Sequence, residues 1–198
     1  MTRFYLLTAI IIFFLSQTVI GKNTSLINGM LESFNNLTSY SATLYTKDAK
    51  ETTEIKYFYK KPGFIEMKFI SPHNGAELTY NPKTNKVIVK PFKSMSFTMT
   101  LSPDSSLISK GGHTVDKSDL GTLLKKVKIL SNNAEIKVNS NEFFHELTIA
   151  GRNSFSVDDV NIYILKVDSF VKLPVIVQSF DSKGIIIETL EIRNLQVK

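Results

Sequence analysis

The chain of 198 residues has no cysteine, no tryptophan and only three histidines. Without cysteine there can be no disulfide framework, Cys-ligated zinc, iron–sulfur cluster or thiol nucleophile. The histidines, His73, His113 and His145, fall in a turn, a Gly-rich loop and a strand pattern, with neither H-E-x-x-H nor a compact ligand set among them. No serine sits in G-x-S-x-G, Gly111-Gly112-His113 is too short for a phosphate loop, and Asp158-Asp159 lacks the surroundings of a calcium loop. These absences point to a protein that is not an enzyme and needs no metal and no cofactor. No repeat or low-complexity tract is present either, so one domain is expected.

Charge is modest. Lys and Arg number 24 against 18 Asp and Glu, a net +6, and 42% of residues are apolar, a folded rather than a disordered composition. Lys60-Lys61 and Lys125-Lys126-Val127-Lys128 are the only dense basic spots, and neither is interleaved with aromatics, so no nucleic-acid partner is expected.

The one long apolar run is Phe4 to Leu15, preceded by Arg3 and followed by Ser16-Gln17-Thr18-Val19-Ile20-Gly21. A positive start, an apolar stretch and small residues at the end make a signal peptide over residues 1–21, with Val19 and Gly21 at the −3 and −1 positions. An uncleaved anchor is the alternative, because Phe4 to Ile20 reaches the lower limit for a span.

In the mature part, Leu26, Ile27, Met30, Leu31, Phe34 and Leu37 form one helical stripe behind the caps of Asn23-Thr24-Ser25, predicting a helix over 25–37. Leu120, Leu123, Leu124 and Val127 repeat that pattern behind Asp116-Lys117-Ser118-Asp119, predicting a second over 118–130. Elsewhere the period is two. Six strands precede the second helix and five follow it, joined by Pro62-Gly63, Pro72-His73-Asn74-Gly75, Asn81-Pro82 and Asp181-Ser182-Lys183-Gly184. Connections this short join antiparallel neighbours. The fold class expected is mainly β with some α: a strongly curved antiparallel sheet of about eleven strands, with the helices packed on it as a lid or plug. Alternation puts Ile65, Met67 and Phe69 on one face, with Glu66 and Lys68 on the other. Phe97, Met99 and Leu101 share a face in the same way.

This order of features resembles the LolA-like family of exported lipoprotein carriers. The likeness is carried by Leu31 to Ala42, by Tyr57 to Pro72 with its basic-Pro turn, by Leu78-Thr79-Tyr80-Asn81-Pro82, and by Leu173 to Gly184. It implies a single LolA-like domain over 22–198, an unclosed β-barrel, and a periplasmic location. It also implies a non-enzymatic carrier that takes the acyl chains of a lipoprotein or lipid into an apolar cavity and shuttles them between membranes. Its partners would be acylated cargo and, transiently, membrane donor and acceptor proteins, with the carrier itself a monomer. The lining residues it suggests are Ile65, Met67, Phe69, Leu78, Phe97, Met99 and Leu101. Leu123, Leu124 and Val127 would belong to the lid. Lys61 stands where the family's carriers have a lid-tethering Arg, and an ammonium lacks the planar fork of guanidinium, so the latch would be looser. Ile65 likewise stands in place of a cavity Phe. The same fold also suits a regulatory or sensory module that binds a partner protein.

Overall fold

The computed structural model describes residues 24–49, 51–94, 97–109 and 113–198. The signal-peptide reading over 1–21 lies outside them. Helix α1 spans 24–36. The strands are β1 (Ser39–Asp48), β2 (Thr52–Lys60), β3 (Phe64–Ser71), β4 (Glu77–Asn81), β5 (Lys86–Lys90) and β6 (Met99–Leu101), followed by helix α2 (Leu120–Ser131) and then β7 (Ala134–Ser140), β8 (Phe144–Gly151), β9 (Ile162–Asp168), β10 (Pro174–Phe180) and β11 (Ile186–Val197).

All eleven strands form one antiparallel sheet in the order β6-β5-β4-β3-β2-β1-β11-β10-β9-β8-β7, and its two edges do not meet. The expected unclosed barrel with two helices is what the chain builds. Two meanders are joined where the last strand pairs with the first: Tyr40 lies opposite Val197, and Thr38 and Ser39 donate their N–H groups to the Lys198 carbonyl. The chain therefore runs from one sheet edge, β6, to the other, β7, through the segment that holds α2.

The turns follow their chemistry. Asp181 Oδ1 accepts from the N–H groups of Lys183 and Ile185 at 2.8 Å each, while Gly184 takes a φ of 78° that closes the β10–β11 hairpin. Asp119 caps α2, accepting from Gly121 N at 2.7 Å and Thr122 N at 3.1 Å, which is why that helix begins at Leu120 and not at Ser118.

Both helices lie against the concave face. From α1, Ile27, Met30 and Phe34 are buried, and from α2, Leu120, Leu124, Val127 and Leu130. They meet Leu147, Ile149 and Leu165 of β8 and β9 in one core. The helices touch each other closely, since a Cβ on Gly121 would run into the Phe34 ring. Lys126 Nζ lies 2.9 Å from Asp158 Oδ2, which ties α2 to the turn before β9 and holds the Asp158 carboxyl below its ordinary range.

Candidate functional site

The strand register sorts the inward side chains of β1–β6 into rows that run across the sheet. One row pairs Tyr40 with Tyr59, Tyr59 with Ile65, Ile65 with Tyr80 and Tyr80 with Val87. The next pairs Ala42 with Tyr57, Tyr57 with Met67, Met67 with Leu78, Leu78 with Val89 and Val89 with Met99. A third begins with Leu44, Ile55 and Phe69.

The first row is packed solid. Tyr40 stacks on Tyr57 and Tyr59 with ring centroids 5.7 and 5.2 Å apart, and Phe34 of α1 lies 5.7 Å from Tyr59. The Leu120 N–H donates to the Tyr40 hydroxyl at 3.0 Å, so the sheet supplies a partner to an otherwise open N–H in the first turn of α2. Burial, with Tyr57 beside it, pushes the Tyr40 hydroxyl well above its ordinary value.

Beyond Tyr57, which is packed on Tyr40, the second and third rows border a cavity of about 730 Å³. Met67, Leu78, Val89 and Met99 from the second row, Ile55 and Phe69 from the third, and Leu101 form its apolar wall. Its cover comes from described residues between β6 and α2: Leu107, Ile108 and, in the 3-10 turn Val115–Lys117, Val115. Asp48 and Glu188, register partners across β1 and β11, line its mouth together with Glu51. His73, 6.1 Å from the Phe69 ring, and His113 stand at the same rim. Thr114 also lines the cavity, with a buried hydroxyl that has no hydrogen-bond partner among the described residues. Between the lining residues His73 and Ala76, Gly75 takes a φ of 80° and approaches Lys93, 2.6 Å from where a Cβ would stand, which disfavours any side chain there.

Of the residues suggested by the sequence, Met67, Phe69, Leu78, Met99 and Leu101 line this cavity. Ile65 is fully buried one row away, in the packed part, and Phe97 lies outside β6 and is 52% exposed. Leu124 and Val127 are fully buried in the core, and neither they nor Leu123 borders the cavity. Lys61 donates from Nζ to the carbonyls of Phe34 at 3.0 Å and Asn35 at 2.6 Å, so it holds the last turn of α1 against the β2–β3 turn. Ile55 and Val89 are additional wall residues; each sits two positions from a buried partner in its strand, a signal that strand alternation carries. Leu107, Ile108 and Val115 lie in a stretch with no period to read. Among the described residues no group of His, Cys, Asp and Glu is arranged to hold a metal ion.

No family model matches the chain, and no curated protein matches it. Solved structures do. A chain of the MucA/MucB complex of Pseudomonas aeruginosa superimposes with a TM-score of 0.53 at 12% identity, over 89% of this chain and 57% of that one. A putative outer membrane lipoprotein-sorting protein domain from Vibrio parahaemolyticus gives 0.44 at 12% identity, over 90% and 93%. A LolA superfamily protein from Nitrosomonas europaea gives 0.40 at 11%, over 89% and 93%. The likeness to the MucA/MucB chain is one of fold, and this protein spans 57% of that longer chain.

Proposed function

We propose that this protein is an exported, non-enzymatic carrier that holds the acyl chains of a lipoprotein or lipid in the cavity under its β6–α2 segment and moves them between membranes. The observation behind the reading is the hollow itself. Its volume of about 730 Å³ falls in the range of ligand pockets, and its wall is two adjacent rows of Met, Leu, Val, Ile and Phe. Each methylene withdrawn from water gains about 0.8 kcal/mol, so a palmitoyl-length chain lodged there gains roughly 12 kcal/mol before binding costs. Met67 and Met99 suit such a tail because thioether side chains adapt to irregular apolar shapes. Release then requires the cover to move, which changes affinity without chemistry.

Native mass spectrometry of the mature protein purified from its own host tests the reading. A retained acyl-bearing molecule is expected; a protein that is ligand-free and takes up no fluorescent fatty-acid probe would sink it.

A second reading has one observation in its favour: the solved neighbour with the best fold agreement among those described above is reported in a complex of MucA with MucB, a protein pair. On that reading the chain is a regulatory or sensory module. A stable stoichiometric protein complex formed with the cavity empty would favour it over the carrier.

A further inference from the structure

The convex face of the same sheet carries a second concavity, of about 500 Å³, unconnected with the apolar one. The register explains its shape. On this face Gln196, Ser41, Phe58 and Glu66 follow one another across β11, β1, β2 and β3. Thr43, Lys56 and Lys68 run parallel to them one step along the strands, with Asn194 beside the irregularity in the β1–β11 pairing. The two rows are the walls of a groove lying across four strands, and the backbone of Ala42 and Tyr57, whose side chains point inward, is its floor.

Its charges are unbalanced in a specific way. Lys56 and Lys68 are direct cross-strand partners, an arrangement that costs free energy when both are charged. Lys68 has Glu77 at 3.6 Å, and both side chains there are largely exposed. Lys56 has no carboxylate partner among the described residues. Two nearby acids are occupied: Glu54 accepts from the Tyr45 hydroxyl at 2.8 Å and Glu191 from Arg193 at 2.6 Å. Glu66 lines the opposite wall, beside the ring of Phe58, so one wall carries two cations and the other one acid and one apolar ring. Ser41, Thr43, Asn194 and Gln196 add donors and acceptors along both walls.

We propose that this groove binds an acidic, extended peptide segment of a partner protein, with its carboxylates on Lys56 and Lys68, an apolar side chain against Phe58, and its backbone amides over the hydroxyl and carboxamide groups. The groove crosses four strands, and its hydroxyls and carboxamides offer both donors and acceptors to the N–H and C=O groups of a peptide. The site is independent of the apolar cavity, and its failure leaves the carrier reading untouched.

Fluorescence anisotropy with a labelled hexaglutamate peptide tests it. The unmodified protein should bind the probe, Lys56→Glu should weaken binding by about tenfold or more, and Lys125→Glu, an equal charge change on exposed α2 surface, should leave it within about twofold. Thr43→Trp, which fills the groove and keeps both lysines, should also abolish binding, with thermal melts showing that each variant is folded. Equal loss in Lys56→Glu and Lys125→Glu would reduce the effect to net charge and overturn the proposal. So would the absence of probe binding, or Lys56-dependent binding of phosphatidylglycerol vesicles without peptide binding.

Discussion

At one end of the concave sheet Tyr40, Tyr59, Ile65, Tyr80 and Val87 are buried in one core with residues of α1 and α2, with stacked rings and a hydroxyl committed to the Leu120 N–H. One row further along the same strands, Met67, Leu78, Val89 and Met99 face open volume. Both rows have the same alternation and comparable hydrophobicity. The difference lies in what the rest of the chain delivers to each end. The packed end receives two helical stripes. The hollow end receives Ser102-Pro103-Asp104-Ser105-Ser106-Leu107-Ile108-Ser109, in which Leu107 and Ile108 are the only large apolar side chains and Leu107 is 73% exposed. A sheet this curved needs more filling than such a segment provides, so the interior stays hollow where the cover is poor in apolar bulk.

The largest effect expected from this contrast is on stability. Leu124→Ala removes a fully buried side chain from the core and should cost about 2–5 kcal/mol by urea midpoint. Leu78→Ala shortens a side chain that already borders a void and should cost much less. Equal losses would mean that the two ends are packed alike.

Alkali gives the next largest effect. Burial pushes the Tyr163 hydroxyl from its ordinary 10.0 up to about 12, and raises Tyr40 and Tyr57 also. The folded state therefore favours the neutral phenol. This contribution is intact below pH about 10 and is lost as pH rises through about 12, on the order of 2 kcal/mol for Tyr163 alone. Tyrosinate absorbance should lag behind that of free tyrosine and then appear together with unfolding. Ionisation of Tyr40, Tyr57 and Tyr163 at the ordinary pH, without loss of structure, would contradict their burial.

The sequence made the faces legible but not the depth. Period-two alternation identifies Ile65, Met67 and Phe69 as inward, and all three point inward. Nothing in that stretch tells that Ile65 lies under the helices while Met67 and Phe69 border the cavity, because depth along the barrel is decided by loops elsewhere in the chain. Phe97 continues the alternation of Met99 and Leu101 on paper, yet β6 begins only at Met99, and its ring is half exposed. The two helices were legible from their 3.6-residue stripes and capping residues. The cavity's cover was not, since an aperiodic segment leaves no pattern. The convex groove was equally hidden: it depends on which residues face each other across four strands, and that is a matter of register.

Binding should respond at the hollow end with little effect on folding. Met99→Asp places a carboxylate on the cavity wall beside water, and should weaken capture of a fluorescent fatty acid by about tenfold or more, while the urea midpoint shifts by less than the Leu124→Ala change. If stability and capture fall together, Met99 is a core residue and the row distinction fails at the position where it matters most.

The smallest expected effect bears on what Lys61 does. Its ammonium donates to two carbonyls in the last turn of α1 and lies 5.3 Å from the centre of the Phe34 ring, where a cation also complements the helix dipole. Lys61→Met keeps the apolar stem and removes the charge. As a cap, it should cost about 1 kcal/mol of stability, fall off with salt, and leave fatty-acid affinity and release rate unchanged, because α1 borders the packed end and not the cavity. As a latch, it should leave stability nearly unchanged and alter the release rate. Measuring the urea midpoint and the rate of probe displacement on the same variant separates the two roles, and a faster release at unchanged stability would show that the packed end governs the hollow one.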